Sequence, residues 1–126
     1  MVTERPVFTP STVVLGAPDP RTLAAFYQRL LGWAIGADEE EWVTLRHPEW
    51  PFSLGFQFET EYTSPIWPAS SGDQQMQVHL DVEVNDLEAG VAFAVEAGAT
   101  IASFQPQDDV RVLIDPVGHP FCLWTS

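Results

Sequence analysis

Two halves of this chain carry the same order of elements, and that repetition limits its folds more than any other feature. With an offset of 67 residues, Asp19 falls on Asp86, Phe26 on Phe93 and Thr12 on His79; with one residue of slippage, Gly32 falls on Gly98. Each half runs from an extended segment through an acidic cap and an apolar-faced helix to a terminating glycine. Three further extended segments follow. A repeat of this length specifies two modules around a shared cleft, not a solenoid of short units.

The local signals fill in that outline. Met1 to Pro10 reads as a loose arm, and Ser11 to Gly16 as the first strand. Asp19 is a helix N-cap and Pro20 suits the first helical position. Leu23, Phe26, Tyr27, Leu30 and Leu31 then form one apolar stripe, which Gly32 ends. Trp33–Gly36, Trp42–His47 and Phe52–Phe58 are the next strands, with the acidic run Asp38–Glu41 as a solvated turn. Thr60 to Gln75, with Pro65, Pro68 and Ser70-Ser71-Gly72, is a linker.

In the second half Met76–Val84 is a strand, Asn85-Asp86 a capping turn, and Leu87, Val91, Ala94 and Val95 a helical face. Strands follow at Thr100–Phe104, Val110–Ile114 and Pro120–Thr125, with a tight turn at Asp115–Gly118. The expected class is α+β, with two βαβββ modules at about 11–58 and 76–125 joined by a linker at about 59–75. The 126 residues are read as one domain.

Composition excludes some partners. The net charge is −13, with five arginines and no lysine. That field repels a polyphosphate, so no nucleic acid is expected, whereas a cationic small molecule would be attracted. Cys122 is the only cysteine, so no intrachain disulfide can form and a reducing, cytoplasmic setting is expected. No basic-then-apolar leader and no apolar run of ~18 residues is present, so neither secretion nor a membrane span is expected. Five tryptophans suit a cleft or an interface.

The stretches VHLDVEVNDLEAGVAFAVEAGATI and RVLIDPVGHPFCLW resemble the second module of the vicinal oxygen chelate superfamily, and STVVLGAPDPRTLAAFYQRLLGWAI is similar to its first. That superfamily includes glyoxalase I, bleomycin-resistance proteins, extradiol dioxygenases and fosfomycin-resistance enzymes. LGFQFE, VHLDVEVNDL and DPVGHPFCL together resemble its small glyoxalase-like branch. The resemblance implies an eight-stranded incomplete barrel around a cleft. In metal-dependent members the first and last strands of each module supply ligands, and the ion acts as a Lewis acid on the substrate. It also implies a homodimer.

Laid on that pattern, the ligand positions become Thr12, Gln57, His79 and Cys122, with Gly55 replacing Gln57 if the register slips. His79 matches, Thr12 is a poor ligand, and Cys122 stands where the family carries glutamate. His79 and Cys122 would suit a borderline ion such as zinc but not a hard octahedral one. The expectation is therefore no cofactor, with a divalent metal ion as the alternative.

Three functions follow from the resemblance. The first is a small-molecule binding protein of the glyoxalase/bleomycin-resistance type for a cationic or aromatic metabolite or antibiotic. The second is a metal-dependent lyase, isomerase or dioxygenase at His79 and Cys122. The third is a metal-free acid–base catalyst, with His79 as the catalytic residue beside Asp81 or Glu83. Whether the chain is an enzyme stays open. Candidate ligand-binding residues are Trp33, Trp42, Phe56, Gln57, His79, Asp81, Arg111 and Trp124.

Overall fold

Both helices begin and end where local chemistry directs them. A computed structural model describes residues 5–126. The expected arm lies partly outside this range, and residues 5–10 carry no regular structure. Strand β1 (Thr12–Ala17) leads into α1 (Pro20–Leu31). Asp19 caps α1 by accepting from the Arg21 N–H at 3.2 Å and the Thr22 hydroxyl at 2.8 Å. Gly32 closes the helix at φ 73°, a left-handed conformation that favours glycine. The first unit continues with β2 (Ala34–Asp38), β3 (Trp42–Arg46) and β4 (Ser53–Phe58).

The second unit repeats the order with β5 (Leu80–Glu83), α2 (Leu87–Ala97), β6 (Thr100–Ile101), β7 (Val110–Ile114) and β8 (Pro120–Trp124). Asp86 caps α2 by accepting from the Ala89 N–H at 3.1 Å. The two sheets have matching orders, β1-β4-β3-β2 and β5-β8-β7-β6. In each, the first and last strands of the unit lie side by side and parallel, and the remaining pairs are antiparallel. Among the described residues this is the expected α+β pair of βαβββ modules, with eight strands in two sheets that do not close into a barrel. Among the described residues no helix is long and apolar enough to cross a membrane.

Some boundaries differ from the sequence reading. The expected strand Met76–Val84 shortens to Leu80–Glu83. Leu80 pairs with Phe121, so His79 would next face Pro120, which has no N–H to extend that ladder. β2 runs on to Asp38, and Arg21 holds that end with Nε 2.9 Å from the Asp38 carboxylate. The expected face of α2 is only partly inward. Ala94 is buried, and Leu87 and Val91 pack on the core, but Val95 and Phe93 are exposed. A helix covered on one narrow side buries a narrow stripe, and Val95 lies a further 100° round from Ala94.

One core joins the units. On α1, Phe26 and Tyr27 meet Phe121 of β8 at ring distances of 5.8 and 6.0 Å, and Tyr27 stacks on Phe56 of β4 at 5.7 Å. The Tyr27 hydroxyl donates to the buried Asp115 carboxylate at 2.7 Å. The other Asp115 oxygen accepts the N–H groups of Val117, Gly118 and His119, each at 3.0 Å. His119 Nε2 lies 2.7 Å from the Gly16 carbonyl, and the Ser64 hydroxyl donates to the Val117 carbonyl. The turn after β7 is therefore clasped by β1, α1 and the linker together.

Candidate functional site

Strand alternation gives each sheet a helix-side face and an open face. In the second sheet Leu80, Val82, Phe121 and Leu123 serve the core, which turns His79, Asp81, Cys122 and Trp124 the other way. Asp81 and Cys122 are partners in the β5–β8 register. His79 Nε2 lies 3.0 Å from Asp81 Oδ1, and ligand atoms of His79, Asp81 and Cys122 all fall within 4.8 Å of one another. Asp81 thus orients the imidazole, and the other ring nitrogen is left for a proton or a ligand. Burial pushes the Cys122 thiol up to about 11, helped by the Asp81 carboxylate beside it. At neutral pH it is a protonated thiol, a weak nucleophile.

The linker reaches His79. Trp67 stacks on the His79 ring with centroids 4.9 Å apart and planes at 26°, and Phe104 meets Trp67 edge-on at 5.4 Å. Sequence reasoning counted Trp67 among the tryptophans but did not place it or Phe104 in the site. The Ile66-Trp67-Pro68 run was the available signal.

The first sheet is built differently. The offset that carries Thr12 onto His79 carries Val14 onto Asp81 and Gly55 onto Cys122. Val14 and Gly55 are indeed partners in the β1–β4 register, so Gly55, not Gln57, is the counterpart of Cys122. A Cβ at position 55 would lie 2.5 Å from the Trp42 ring and 2.9 Å from Thr12. Trp42 therefore fills the place where the second sheet presents its polar group. Thr12 and Gly55 offer no strong ligand.

The remaining candidates scatter. Phe56 is 0% exposed in the core and has no surface for a ligand, because β4 turns Leu54 and Phe56 toward α1. Gln57 is exposed and donates to Glu59 at 2.9 Å. Trp33 packs against His47 and Phe52. Arg111 falls on the helix side of β7, where its guanidinium donates to the carbonyls of Gln107, Asp108 and Val110. Trp124 shares the open face with Cys122.

Three donors of this kind would fit a borderline ion such as zinc, which His79, Asp81 and Cys122 would hold through imidazole, carboxylate and thiolate. They do not fit a hard octahedral ion, which needs more oxygen ligands.

The sequence pattern of the glyoxalase-like domain family matches residues 12–124. No curated protein matches the sequence. Solved structures share the fold at low identity. One is a glyoxalase/bleomycin resistance protein/dioxygenase family enzyme from Burkholderia phytofirmans, 18% identical with a TM-score of 0.71, covering 94% of this chain and 98% of that one. A second is the bleomycin-binding protein of Streptomyces verticillus, complexed with copper(II)-bleomycin. It is 16% identical with a TM-score of 0.60, covering 97% of this chain and 99% of that one. A third is TnmS3, an antibiotic binding protein from a Streptomyces species, 16% identical with a TM-score of 0.63, covering 97% and 98%. A pattern match over nearly the whole chain and the paired βαβββ units agree: this protein belongs to the glyoxalase-like domain family.

Proposed function

We propose that this protein binds a small organic molecule, cationic or aromatic, on the open face of its second sheet. One observation carries the reading: Trp67, braced edge-on by Phe104, stacks on His79 of the His79–Asp81–Cys122 group, while the counterpart place in the first sheet is filled by Trp42. An aromatic wall beside a few convergent polar groups is the usual form of a small-molecule site. The net charge of −13 favours a cation, and cation–π contact with Trp67 adds to that. Antibiotic-binding proteins among the structural neighbours support the class of ligand. His79 and Asp81 orient the ligand, and Trp67 and Trp124 stack on it. Titrating labelled protein with cationic aromatic compounds tests this. Saturable shifts at Trp67 support it, and their absence with every compound counts against it.

The protein acts as a homodimer in a reducing, cytoplasmic compartment in this reading. Exposed apolar residues such as Phe93 and Ile101, 48% and 56% exposed, support pairing. Sedimentation at twice 14.0 kDa is expected, and a stable monomer would contradict it.

The clustering of three donors supports a second reading, in which the group holds zinc and the protein is a metal-dependent enzyme. A bound ion would polarise a substrate oxygen as a Lewis acid. His79 and Asp81 would hold and orient it, and Trp67 would limit access of water. Near-stoichiometric zinc in protein purified without chelators, lost in His79→Ala, would favour this reading over the first.

A further inference from the structure

A cavity of about 370 Å³ lies at the seam of the two units, and none of His79, Asp81 or Cys122 lines it. Its walls come from β1, from the start of the linker and from the segment that leads into β5. Val14, Pro65 and Val78 supply apolar surface, Tyr62 an aromatic ring, and Glu59 and Glu61 two carboxylates. His119 is the only lining side chain able to carry positive charge, and its Nε2 is engaged with the Gly16 carbonyl.

The chain gives up a side chain in β1 to place one of these carboxylates. A Cβ at Gly16 would lie 2.7 Å from Glu59 Cγ, so any other residue there would displace Glu59. Glycine weakens a strand interior and here marks a close approach. Gln57 donates to Glu59 Oε1 at 2.9 Å, which orients the carboxylate and leaves its second oxygen for another donor. The Tyr62 hydroxyl is buried and finds no hydrogen-bond partner among the described residues. The Ser64 hydroxyl lies beside it and donates to the Val117 carbonyl. Buried polar groups without partners are rare and call for an explanation.

We propose that this seam cavity is a binding site for an organic ammonium, with the cationic group on Glu59 and Glu61 and an apolar stem along Val14, Val78 and the Tyr62 ring. The apolar walls distinguish it from a site for a hydrated metal ion, whose shell would find no partners on that side. An ammonium supplies several N–H donors, which two carboxylates and the Gln75 and Gln77 amides can accept. Carboxylates such as these, with Glu59 held by Gln57, bind such a group through charge-assisted hydrogen bonds.

Phenethylamine and its neutral isostere phenethyl alcohol, titrated separately into labelled full-length protein, test the site through backbone amide shifts. The amine is expected to shift Gly16, Gln77 and Val78 saturably, and to bind at least roughly tenfold more tightly than the alcohol. Glu59→Gln combined with Glu61→Gln should abolish that preference, with the remaining amide spectrum unchanged. Equal binding of amine and alcohol, no binding of the amine, or amine shifts confined to other acidic segments such as Asp38–Glu41 would each overturn the proposal. Shifts at Trp67 and His79 report the other face, so the failure of one site is distinguishable from failure of the other.

Discussion

The Trp42 indole occupies, over Gly55, the space that a side chain at that position would need, with its ring 2.5 Å from a Cβ built there. The register makes Gly55 the counterpart of Cys122, so the two sheets have diverged at matching points. Gly55→Ala should cost about 1–3 kcal/mol, the usual range for overpacking. Trp42→Leu should restore most of that loss in the double variant. Denaturant unfolding measures both. Additive losses in the double variant would show that the two residues do not compete for the space.

Tyr27 and Asp115 tie the units together across the core. Tyr27→Phe removes a hydrogen bond to a buried carboxylate and should cost about 1.5–3 kcal/mol. Burial, the neighbouring Asp115 charge and the hydrogen bond to it hold the Tyr27 phenol well above its ordinary range. The unfolded chain therefore ionises this tyrosine before the folded one does. Wild-type stability should fall as pH rises above about 10, and Tyr27→Phe should lose that component of the fall.

Asp115 itself is raised above the usual aspartate value because burial outweighs its donors, the Tyr27 hydroxyl first among them. A raised carboxylate favours the fold in its protonated form. Its contribution is fully present below the ordinary value of about 4 and is lost as pH climbs through the folded value. Asp115→Asn keeps an acceptor oxygen and removes the titration. The stability difference between wild type and variant should move in the variant's favour as pH rises from about 4 toward neutrality. A difference flat across that window would contradict this origin.

Cys122 is 4% exposed and packs between β5 and β7. In the binding reading its sulfur is a space-filler, as buried cysteines often are. Cys122→Ala should leave ligand affinity within about threefold of wild type. A loss of affinity together with loss of bound zinc would move the balance to the metal reading.

The element order was legible because its signals are local. Asp19-Pro20 and Asp86 cap helices through their own neighbours, and Gly32 and Gly98 end them. Period-two alternation showed two faces on β4 but could not say which one met α1. Phe56 and Gln57, on opposite faces, therefore both stand as ligand candidates, whereas Phe56 stacks on Tyr27. The register of β4 on β1, which separates Gly55 from Gln57, depends on partners about forty residues away in sequence. Phe26 and Phe93 match across the repeat, yet one is buried and the other exposed, because α1 lies against both units and α2 is covered on one side. Trp67 reaches His79 only through the path of the linker, which no local pattern encodes.

The central claim is that the Trp67–His79 face binds a cationic or aromatic small molecule, and the indole N–H resonances of the five tryptophans test it most directly. In titrations of the protein with such compounds, the Trp67 resonance is expected to shift saturably, with binding weakened at least roughly tenfold in His79→Ala. A Trp67 resonance that no compound moves, or binding that His79→Ala leaves undiminished, would contradict it.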